Sequence, residues 1–421
     1  MIKRDIYQNL KEHLLKKEIT FIAGPRQAGK TTLMLRLMDE LVKKEQKVTF
    51  LNLDIEMDKQ FFRTQLDLLK KIELEIGKQG YVFIDEIQRK NDTGVFLKGI
   101  YDQNFSYKFI VSGSGSVELK EKIHESLAGR KRVFELSVVS FKEFINYKTD
   151  YKYSEKIIDF FKLEKEKTLK FLEEYFSFGG YPRVVLDETF KDKNATINEI
   201  FQSYLDKDIY YLLKIEKSEN FINLIRILAS QIGKLVNYSE LSNTIGINNS
   251  TLKKYIWYLE KTFILKRVSP FYKNIRKEIT KSPTIYFYDL GMRNFILNVF
   301  GKSDSIVDKG FLFQNFIFNI LFERLKETSA TINFWRTQDK AEVDFVLNFG
   351  NIYIPVEVKY SLIKKPAVSR ALLSFIKKYK PPRAFVVNLG NDDILKIGNT
   401  EVIFMPFYSL YDIEFLKISF L

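Results

Sequence analysis

The sequence predicts an α/β fold: a parallel sheet in the first third of the chain, mainly helical segments after it, and a second α/β region at the carboxyl end. Apolar runs alternate with helical patterns up to about Phe144, which is typical of a three-layer α/β/α domain with a parallel sheet. Helical patterns then predominate over residues 154–262. Apolar and charged residues alternate again after Trp335, which indicates a β-hairpin.

The first motif with chemical meaning is a glycine-rich segment that follows the apolar run of residues 19–23. It fits the phosphate-binding loop pattern G-x-x-x-x-G-K-[ST] at every constrained position. Its residues are Gly24, Pro25, Arg26, Gln27, Ala28, Gly29, Lys30 and Thr31, followed by Thr32. The glycines let backbone N–H groups surround phosphates, Lys30 reaches the outer phosphates, and Thr31 offers its hydroxyl to Mg²⁺. The segment predicts a site for ATP and Mg²⁺, with an ordinary glycine-rich turn as the alternative.

A helix is predicted directly after this loop, over residues 30–41. Leu33, Leu37 and Leu41 fall on one stripe of such a helix. The partial positive charge of its N-terminus would then point at the nucleotide. The order of strand, loop and helix is the context that the motif requires.

An acidic pair lies 55 residues after Lys30. Residues 81–84 form a short apolar run suited to a buried parallel strand, and Asp85 and Glu86 follow it. Asp85 is expected to hold Mg²⁺ through water, and Glu86 to orient or deprotonate the attacking water. Alone, such an acidic pair is compatible with a plain loop. Together with a phosphate-binding loop, it favours ATP hydrolysis over phosphoryl transfer to a metabolite.

Two further segments offer groups for the same site. A strand predicted over residues 108–111 leads into Ser112 and Ser114, where a polar sensor of the γ-phosphate is expected; a flexible Gly/Ser turn is the alternative. Arg130 precedes another apolar run, residues 133–136. It is a candidate arginine finger for its own or a neighbour's nucleotide, or else part of a solvated basic turn.

Composition restricts the available chemistry. The 421 residues include no cysteine and two histidines, so disulfides, thiol catalysis and cysteine-based zinc sites are excluded, and a metal must use oxygen ligands. Lys and Arg number 67 against 53 Asp and Glu, and the net charge of +14 attracts polyanions such as nucleic acid. We recognise no secretory or membrane-spanning segment and expect a cytoplasmic protein without membrane partners.

The segment from Ser239 has helix-turn-helix spacing. Ser239 is expected to cap a first helix, Gly246 to make the turn, and Asn249 or Ser250 to cap a second helix. Residues 264–268 resemble a wing strand, so the segment predicts a small winged-helix domain. Its second helix can enter a DNA major groove, although winged helices also serve protein contacts or act as spacers.

Near the carboxyl end, alternation around a turn at Gly350 predicts a β-hairpin. Asp344, Glu357 and Lys359 can gather on one of its faces. Two carboxylates and a lysine suit a divalent cation and an activated water for phosphodiester hydrolysis. A solvent-facing hairpin decorated with charges is the alternative.

Together these motifs resemble a large bacterial and archaeal family, the AAA+-type ATPases of the archaeal-ATPase clade that carry a restriction-endonuclease-like domain of unknown function at the carboxyl end. The resemblance spans nearly the whole chain. The matching segments are GPRQAGKTTL at 24–33, FIDEIQR at 83–89, SGSGS at 112–116, LAGR at 127–130, GGYP at 179–182, SPFYKN at 269–274, YFYDLG at 286–291, and FWRTQDKAEVDFV with VEVK. The resemblance implies ATP binding and hydrolysis, a helical lid, a winged helix and a nuclease-like terminal fold.

Carried over residue by residue, the resemblance gives the ATP-site roles stated above to Lys30, Thr31, Asp85, Glu86, Ser114 and Arg130. The D…ExK core of the nuclease-like fold is matched by Asp344, Glu357 and Lys359. One position departs, because the family's helix after Gly310 usually carries a glutamate that supports the nuclease metal, and the aligned residue here is Gln314. Glutamine removes a charge that hard cations favour, so binding of nucleic acid or a partner without cutting is favoured.

We expect four domains: an AAA+-type P-loop ATPase domain at 1–150, a helical lid or connector at 151–215, a winged helix-turn-helix domain at 216–275, and a restriction-endonuclease-like domain with an altered site at 276–421. The leading hypothesis is a Mg²⁺-dependent ATPase that rearranges the winged-helix and nuclease-like domains on nucleic acid, and DNA is the expected nucleic-acid partner. Two alternatives stay open: a nucleotide-gated switch read by a protein partner, and an ATP-regulated DNA nuclease. Assembly into a homo-oligomer is expected only by analogy with other AAA+ proteins.

Overall fold

The structure is a computed structural model that describes residues 1–103, 105–114, 127–211, 219–302 and 309–412. The chain divides into two compact units. Unit 1 comprises Met1–Val139, Tyr181–Lys217 and Trp257–Ile264, and unit 2 comprises Ser140–Gly180, Ser218–Ile256 and Leu265–Leu421. Each unit combines segments that are distant in sequence, whereas the four predicted domains follow one another along the chain; their boundaries stay a prediction.

The described residues form the following strands and helices. The strands are β1 (Ile19–Gly24), β2 (Val48–Asn52), β3 (Gln79–Asp85), β4 (Ser106–Ser114), β5 (Lys131–Glu135), β6 (Leu265–Val268), β7 (Thr284–Phe287), β8 (Thr331–Arg336), β9 (Glu342–Asn348), β10 (Tyr353–Val358), β11 (Arg383–Asn388), β12 (Asp393–Ile397) and β13 (Thr400–Pro406). The helices are α1 (Tyr7–His13), α2 (Lys30–Lys43), α3 (Glu56–Lys59), α4 (Gln65–Ile76), α5 (Thr93–Asp102), α6 (Phe141–Lys148), α7 (Ile157–Leu163), α8 (Lys165–Phe178), α9 (Pro182–Leu186), α10 (Phe190–Tyr204), α11 (Glu219–Ser230), α12 (Tyr238–Ile245), α13 (Asn249–Lys261), α14 (Ile275–Thr280), α15 (Leu290–Ile296), α16 (Lys309–Leu325) and α17 (Arg370–Tyr379). Short 3₁₀ helices occur at Gln60–Phe62, Ile87–Arg89, Ser154–Lys156 and Phe407–Tyr411, and a π-helix at Leu205–Tyr211.

The sheet of unit 1 has five strands in the order β2-β3-β4-β1-β5, and every neighbouring pair is parallel. Parallel neighbours need crossover connections, and α2, α4 and α5 lie in the connections between successive strands from β1 to β4. All six residues of β1 are buried, as expected for a central strand of a sheet covered on both faces. The parallel α/β fold predicted for this part of the chain is confirmed.

Helix α2 anchors the glycine-rich loop to the sheet of unit 1. The predicted stripe of Leu33, Leu37 and Leu41 is buried and belongs to one core cluster with Ile22 of β1 and Phe83 of β3. Full burial of each such side chain contributes about 1.5–3 kcal/mol. Because β1 and α2 flank the loop directly, this packing fixes both of its ends at the carboxyl edge of the sheet.

Unit 2 contains a mixed sheet of six strands in the order β12-β13-β11-β10-β9-β8. Strand β11 pairs in parallel with both β10 and β13, and the other pairs are antiparallel. The predicted hairpin is formed by β9 and β10, with Gly350 between them at a positive φ of 85°. Helix α17 packs on this sheet through Phe375, whose ring lies 5.3 Å from that of Trp335. No helix among the described residues is long and apolar enough to cross a membrane.

The helix-turn-helix segment has different caps from those predicted. Helix α12 begins at Tyr238, because the Asn237 side chain accepts the N–H of Glu240, and Ser239 is therefore not the cap. Gly246 ends this helix in the left-handed region, and Asn248 accepts the N–H of Thr251 at the start of α13. Strand β6 pairs antiparallel with β7. The winged-helix assignment itself stays a prediction.

A tight helix contact in unit 2 provides a test of stability. A Cβ added to Gly291 of α15 would overlap the carbonyl oxygen of Phe178 at the end of α8. Gly291→Ala is therefore expected to lower the free energy of unfolding by about 1–3 kcal/mol, because the backbone must shift. The urea midpoint measures this loss.

Gly310→Ala in α16 is the matched control for this test. A Cβ added there meets nothing within 4 Å, so the better helix propensity of alanine is expected to leave stability unchanged or raise it by up to about 1 kcal/mol. Equal midpoints for Gly291→Ala and the parent protein would contradict the close approach.

Candidate functional site

The glycine-rich loop takes a conformation that needs glycine at two positions. Gly29 caps α2 at φ 95°, in the left-handed region where side chains are strained. A Cβ on Gly24 would overlap the carbonyl oxygen of Leu136. Arg4 also holds the loop, because its Nη1 donates to the carbonyl oxygen of Ala28 at 3.0 Å. These contacts fix the conformation of the loop beside the first turn of α2.

Lys30 lies inside this loop and is 5% exposed. Its Nζ donates to the carbonyl oxygens of Gly24 at 3.0 Å and Pro25 at 2.8 Å. Burial lowers the pKa of Lys30, and the charge of Glu86 opposes that effect. The ammonium group is thus held in a largely desolvated position, where an anion would be attracted strongly.

Several polar groups around the loop have no partner among the described residues. The N–H groups of the first turn of α2 have no acceptor within the helix, and no side chain caps it. The Gln27 Oε1 and the Ser114 Oγ are buried and unpaired as well. The N–H groups and the Ser114 hydroxyl can donate hydrogen bonds to the phosphates of a nucleotide, whereas the Gln27 oxygen can only accept one.

Two oxygen ligands suitable for Mg²⁺ meet at the carboxyl end of β3. Asp85 is 1% exposed, and its Oδ2 accepts the Thr31 hydroxyl at 2.6 Å. Its other oxygen, Oδ1, accepts the hydroxyl of Ser112 from β4. A hydroxyl and a carboxylate are hard oxygen donors, so this pair fits a hard divalent cation.

Glu86 follows Asp85 with φ 54°, a left-handed conformation that turns the chain out of the strand. Its N–H donates to the Asp85 Oδ1 at 3.0 Å, and its Oε2 accepts the Nε2 of Gln88. Burial raises the pKa of Glu86, while the charges of Lys30 and Arg26 lower it. The carboxylate is therefore oriented and more basic than an exposed glutamate, as a general base requires.

Gln88 is a residue that the sequence prediction missed. Its side chain binds Glu86 through Nε2, and its Oε1 accepts the N–H of Ser114 at 3.2 Å. It connects the candidate base to the candidate sensor, and its position within the segment of residues 83–89 was the available signal. Ser112 and Ser114 lie in β4, whereas residues 115 and 116 of the predicted Gly/Ser turn lie outside the described residues.

Asp208 of the π-helix is a second residue that the sequence prediction missed. Its Oδ2 accepts the Nε of Arg26, a loop residue, at 2.6 Å. The two side chains are 5% and 10% exposed, so this is a buried ion pair. No local pattern in the sequence marks Asp208, because this residue lies far from Arg26 along the chain.

Arg130 lies away from the loop of its own chain. Its carbonyl oxygen accepts the N–H of Ile19, the first residue of β1, whereas the loop follows the last residue of that strand. Its guanidinium donates to Asp102 through Nε at 2.7 Å and Nη2 at 3.3 Å. Within one chain Arg130 therefore lies at the opposite edge of the sheet, and a role toward a neighbouring chain stays a prediction.

The structure of unit 2 brings together the three charged residues predicted near the carboxyl end. The Asp344 Oδ1 accepts Nε2 of Gln314 at 3.0 Å, and its Oδ2 accepts the N–H of Val358 at 2.7 Å. Lys359 donates to the Glu357 Oε1 at 2.6 Å. Ser369 donates to the other oxygen of Glu357 at 2.8 Å. Every carboxylate oxygen of the cluster already accepts a hydrogen bond from the chain.

Burial and charge change the acidity of this cluster. Burial raises the pKa of Asp344 to about 7, against the hydrogen bond from Val358 that lowers it. Burial lowers the pKa of Lys359, but the hydrogen bond and the charge of Glu357 outweigh it and raise that pKa overall. Among the described residues, no group of three or more His, Cys, Asp or Glu side chains is placed to hold a metal ion.

Three family models match parts of this chain. A model described as "AAA domain" matches residues 16–145. One described as "Domain of unknown function (DUF8612)" matches residues 169–303, and one described as "Domain of unknown function (DUF4143)" matches residues 309–408.

Whole-chain relatives occur in bacteria and archaea. An uncharacterized protein of Methanocaldococcus jannaschii is 28% identical over 399 residues, covering 91% of this chain and 84% of its own length. An uncharacterized protein of Haemophilus influenzae is 26% identical and covers 90% of this chain and 92% of its own. An uncharacterized protein of Mycobacterium tuberculosis is 25% identical and covers 92% of this chain and 80% of its own length.

Among solved structures, AMPPCP-bound DnaA from Aquifex aeolicus aligns over 62% of this chain and 90% of its own, with 17% identity and a TM-score of 0.27. Cdc6p from Pyrobaculum aerophilum aligns over 71% of this chain and 96% of its own, with 10% identity and a TM-score of 0.29. The AAA domain match, together with a parallel sheet that carries a phosphate-binding loop, supports a P-loop ATPase domain at residues 16–145.

Proposed function

We propose that this protein is a Mg²⁺-dependent ATPase that uses ATP hydrolysis to rearrange its winged-helix and nuclease-like segments on DNA. The proposed ATPase activity is supported by the arrangement of four residues. Lys30, the Thr31–Asp85 pair and Glu86 converge at the carboxyl edge of the parallel sheet, where the loop leaves phosphate-binding donors unpaired. These are the groups needed to bind a triphosphate and activate water.

The residues of the site divide the work of hydrolysis. Lys30 would exchange its bonds to the carbonyl oxygens of the loop for bonds to phosphate oxygens. Thr31 and Asp85 would hold the cation, which when bound neutralises charge on the phosphates. Glu86 would accept a proton from the attacking water, oriented by its bond to Gln88.

Replacement of Glu86 tests this assignment. Glu86→Gln keeps the shape of the side chain but cannot accept the proton, so kcat should fall by about 10²- to 10⁴-fold while ATP affinity stays nearly unchanged. For the parent protein, kcat should rise with pH as Glu86 ionises, with a midpoint above the ordinary glutamate range because burial raises its pKa. Steady-state phosphate release measures both effects.

Lys30→Ala is the companion variant and should lose tight ATP binding, because the buried ammonium group disappears. Equal turnover by Glu86→Gln and the parent protein would contradict the role of Glu86. Turnover by Lys30→Ala at the parent rate would contradict the site as a whole.

A basic surface in unit 2 supports the DNA part of the proposal. Between Val358 and Asn391 the chain contains eight Lys and Arg residues and no Asp or Glu. Seven of these eight are exposed. Lys359 belongs to the cluster with Asp344 and Glu357, and the other six define this basic surface: Lys364, Lys365, Arg370, Lys377, Lys378 and Lys380. Such a concentration of positive charge attracts the phosphates of nucleic acid.

Helix α17 presents much of the basic surface. Its apolar residues Leu372 and Phe375 are buried in the core, which leaves Arg370, Lys377 and Lys378 on one exposed stripe at spacing i, i+7 and i+8. The helix of 10 residues spans about 15 Å, enough to follow several phosphates of a duplex. The basic surface is therefore presented on a rigid element.

Removal of three charges tests this surface. Lys377→Ala, Lys378→Ala and Lys380→Ala combined should weaken DNA binding and reduce the slope of log K against log salt by about 2 to 3, since each lost phosphate contact contributes about 0.9. Fluorescence anisotropy with labelled duplex DNA over a salt series measures both quantities.

A second triple variant controls for net charge. Lys165, Lys167 and Lys170 of α8 are also exposed in unit 2, but they lie beside Glu164 and Glu166. Their replacement by alanine should leave the salt slope nearly unchanged. An equal loss in both variants would show nonspecific attraction, and no DNA binding by the parent protein at low salt would favour a switch read by a protein partner.

Binding without cutting is proposed for the nuclease-like cluster. Gln314 supplies an N–H donor to Asp344 where the resembling family usually has a glutamate, and Glu357 is engaged by Lys359 and Ser369. A cation would have to compete with these bonds and would find one carboxylate fewer. The cluster serves better as an internal polar network than as a metal site.

The acidity of Asp344 gives a test of this network. The pKa of Asp344 is about 7 in the folded protein against an ordinary 3.8, so protonation of Asp344 stabilises the folded state. This contribution is complete below about pH 4 and is lost as the pH rises through 7. The stability of the parent protein should therefore fall by roughly 1–3 kcal/mol between pH 4 and pH 8, and Asp344→Asn, which has no titrating group at this position, should show a smaller fall. Urea midpoints across this pH range measure the difference.

The opposite result would favour the nuclease. If Asp344 binds a cation, the parent protein should cut supercoiled DNA with Mg²⁺ or Mn²⁺, and Asp344→Asn should not. Cutting that depends on Asp344 would overturn the proposal of binding without cleavage.

A further inference from the structure

The buried ion pair between Arg26 and Asp208 is not explained by phosphate binding alone. Arg26 lies in the glycine-rich loop, and Asp208 comes from a π-helix of seven residues, a rare element that often occurs at functional sites. Removing two charges from water costs several kcal/mol each, which the pairing itself often only balances. A stability role is therefore a weak explanation for this pair.

The guanidinium of Arg26 is only partly engaged. Its Nε donates to the Asp208 Oδ2 at 2.6 Å, and its two terminal amino groups make no hydrogen bond to any residue that the structure describes. The side chain is 10% exposed, so these donors see little water. One edge of the guanidinium is thus fixed, and the donors on its other edges are left for a ligand.

The charges near this pair indicate what that ligand is. The charges of Arg26 and Asp208 both act on buried Lys30, and the charge of Arg26 also acts on Glu86. These groups therefore belong to one electrostatic cluster around the loop. An anion at this position, next to a candidate base, is the terminal phosphate of the nucleotide.

We propose that Arg26 is a catalytic residue that stabilises the negative charge developing on the phosphates during hydrolysis, and that Asp208 is the residue that positions it. This inference rests on the proposed ATPase function. Arg26 would then be an arginine finger supplied by the phosphate-binding loop of the same chain. Arg130 cannot take this role within one chain, because it does not reach the loop.

Hydrolysis would form one bond to the terminal phosphorus and break another. Glu86 takes a proton from water, whose oxygen forms a bond to the terminal phosphorus. The bond from that phosphorus to the bridging oxygen breaks, and its electron pair stays on ADP. Arg26 donates hydrogen bonds to oxygens that gain charge in this step, and charge-assisted bonds of this kind are stronger in the transition state than in the bound substrate.

Asp208 limits the freedom of the guanidinium. Because it holds Nε, a flexible arginine keeps one orientation before the nucleotide binds. Its other oxygen, Oδ1, is buried and accepts no hydrogen bond from the described residues, so no competing donor there draws the carboxylate away from Arg26. Orientation of this kind contributes to kcat rather than to substrate affinity.

The test compares Arg26→Gln and Asp208→Asn with the parent protein of 421 residues. We expect kcat of Arg26→Gln to fall by about 10²- to 10³-fold, while the dissociation constant for a slowly hydrolysed ATP analogue changes less than about tenfold. Asp208→Asn keeps an acceptor but loses the charge, and its kcat should fall by about 10²-fold for loss of orientation. Retention of ADP with aluminium fluoride, a mimic of the transition state, should be lost in Arg26→Gln.

Further variants separate catalysis from folding. Arg183 pairs with Glu199 at the surface of the same unit, and Arg183→Gln should leave kcat and aluminium fluoride trapping unchanged. If either single variant fails to fold because one charge is left buried, the double variant Arg26→Gln, Asp208→Asn removes both charges and tests the same loss.

The outcomes distinguish the inference from the proposed function. No ATP hydrolysis and no trapping by the parent protein would overturn both. Hydrolysis by the parent protein with an equal rate in Arg26→Gln, or with a loss of affinity that matches the loss of turnover, would overturn the catalytic role alone. A normal kcat in Asp208→Asn beside an impaired Arg26→Gln would overturn the positioning role.

Discussion

Desolvation of charge at the carboxyl edge of the parallel sheet is the constraint on which unit 1 depends. Lys30 and Asp85 are almost fully buried, and an ammonium or carboxylate in that position is costly unless it is paired. The chain meets this cost by giving each group internal partners: carbonyl oxygens for Lys30 and two hydroxyl groups for Asp85. In the proposed function a triphosphate and a divalent cation would replace these partners, so the site is organised before its ligands bind.

The carboxyl-terminal cluster of unit 2 shows the opposite balance. Its two carboxylates are also desolvated, yet the partners include a lysine ammonium and a backbone N–H, and the side chain of Gln314 occupies a place where a third carboxylate is expected from the resemblance. Each added donor strengthens the internal network and weakens the demand for a cation. Under the proposed function, two sites built from the same residue types act differently because their neighbours differ.

How far the sequence predicts these sites depends on the range of the interactions. The loop, α2 and the acidic pair are local patterns, in which spacing along the chain decides position in space, and the parallel sheet was predictable from the same periodicity. The caps of α12 and α13 were wrong or shifted because several neighbouring polar residues compete to accept the same N–H groups. Asp208 was missed because it lies far from Arg26 along the chain, and only the tertiary fold brings the two side chains together.

The two arginines show why a motif cannot decide a catalytic role by itself. Arg130 was selected from its position in a basic segment, but its guanidinium is committed to Asp102 through two of its nitrogens and lies at the start of β1. Arg26 was predicted only as one residue of the phosphate-binding loop, yet it is anchored by one nitrogen and keeps its other donors unpaired among the described residues. A guanidinium can stabilise developing charge only where its free donors reach the reacting phosphate, so the number and direction of uncommitted donors are better evidence than local sequence.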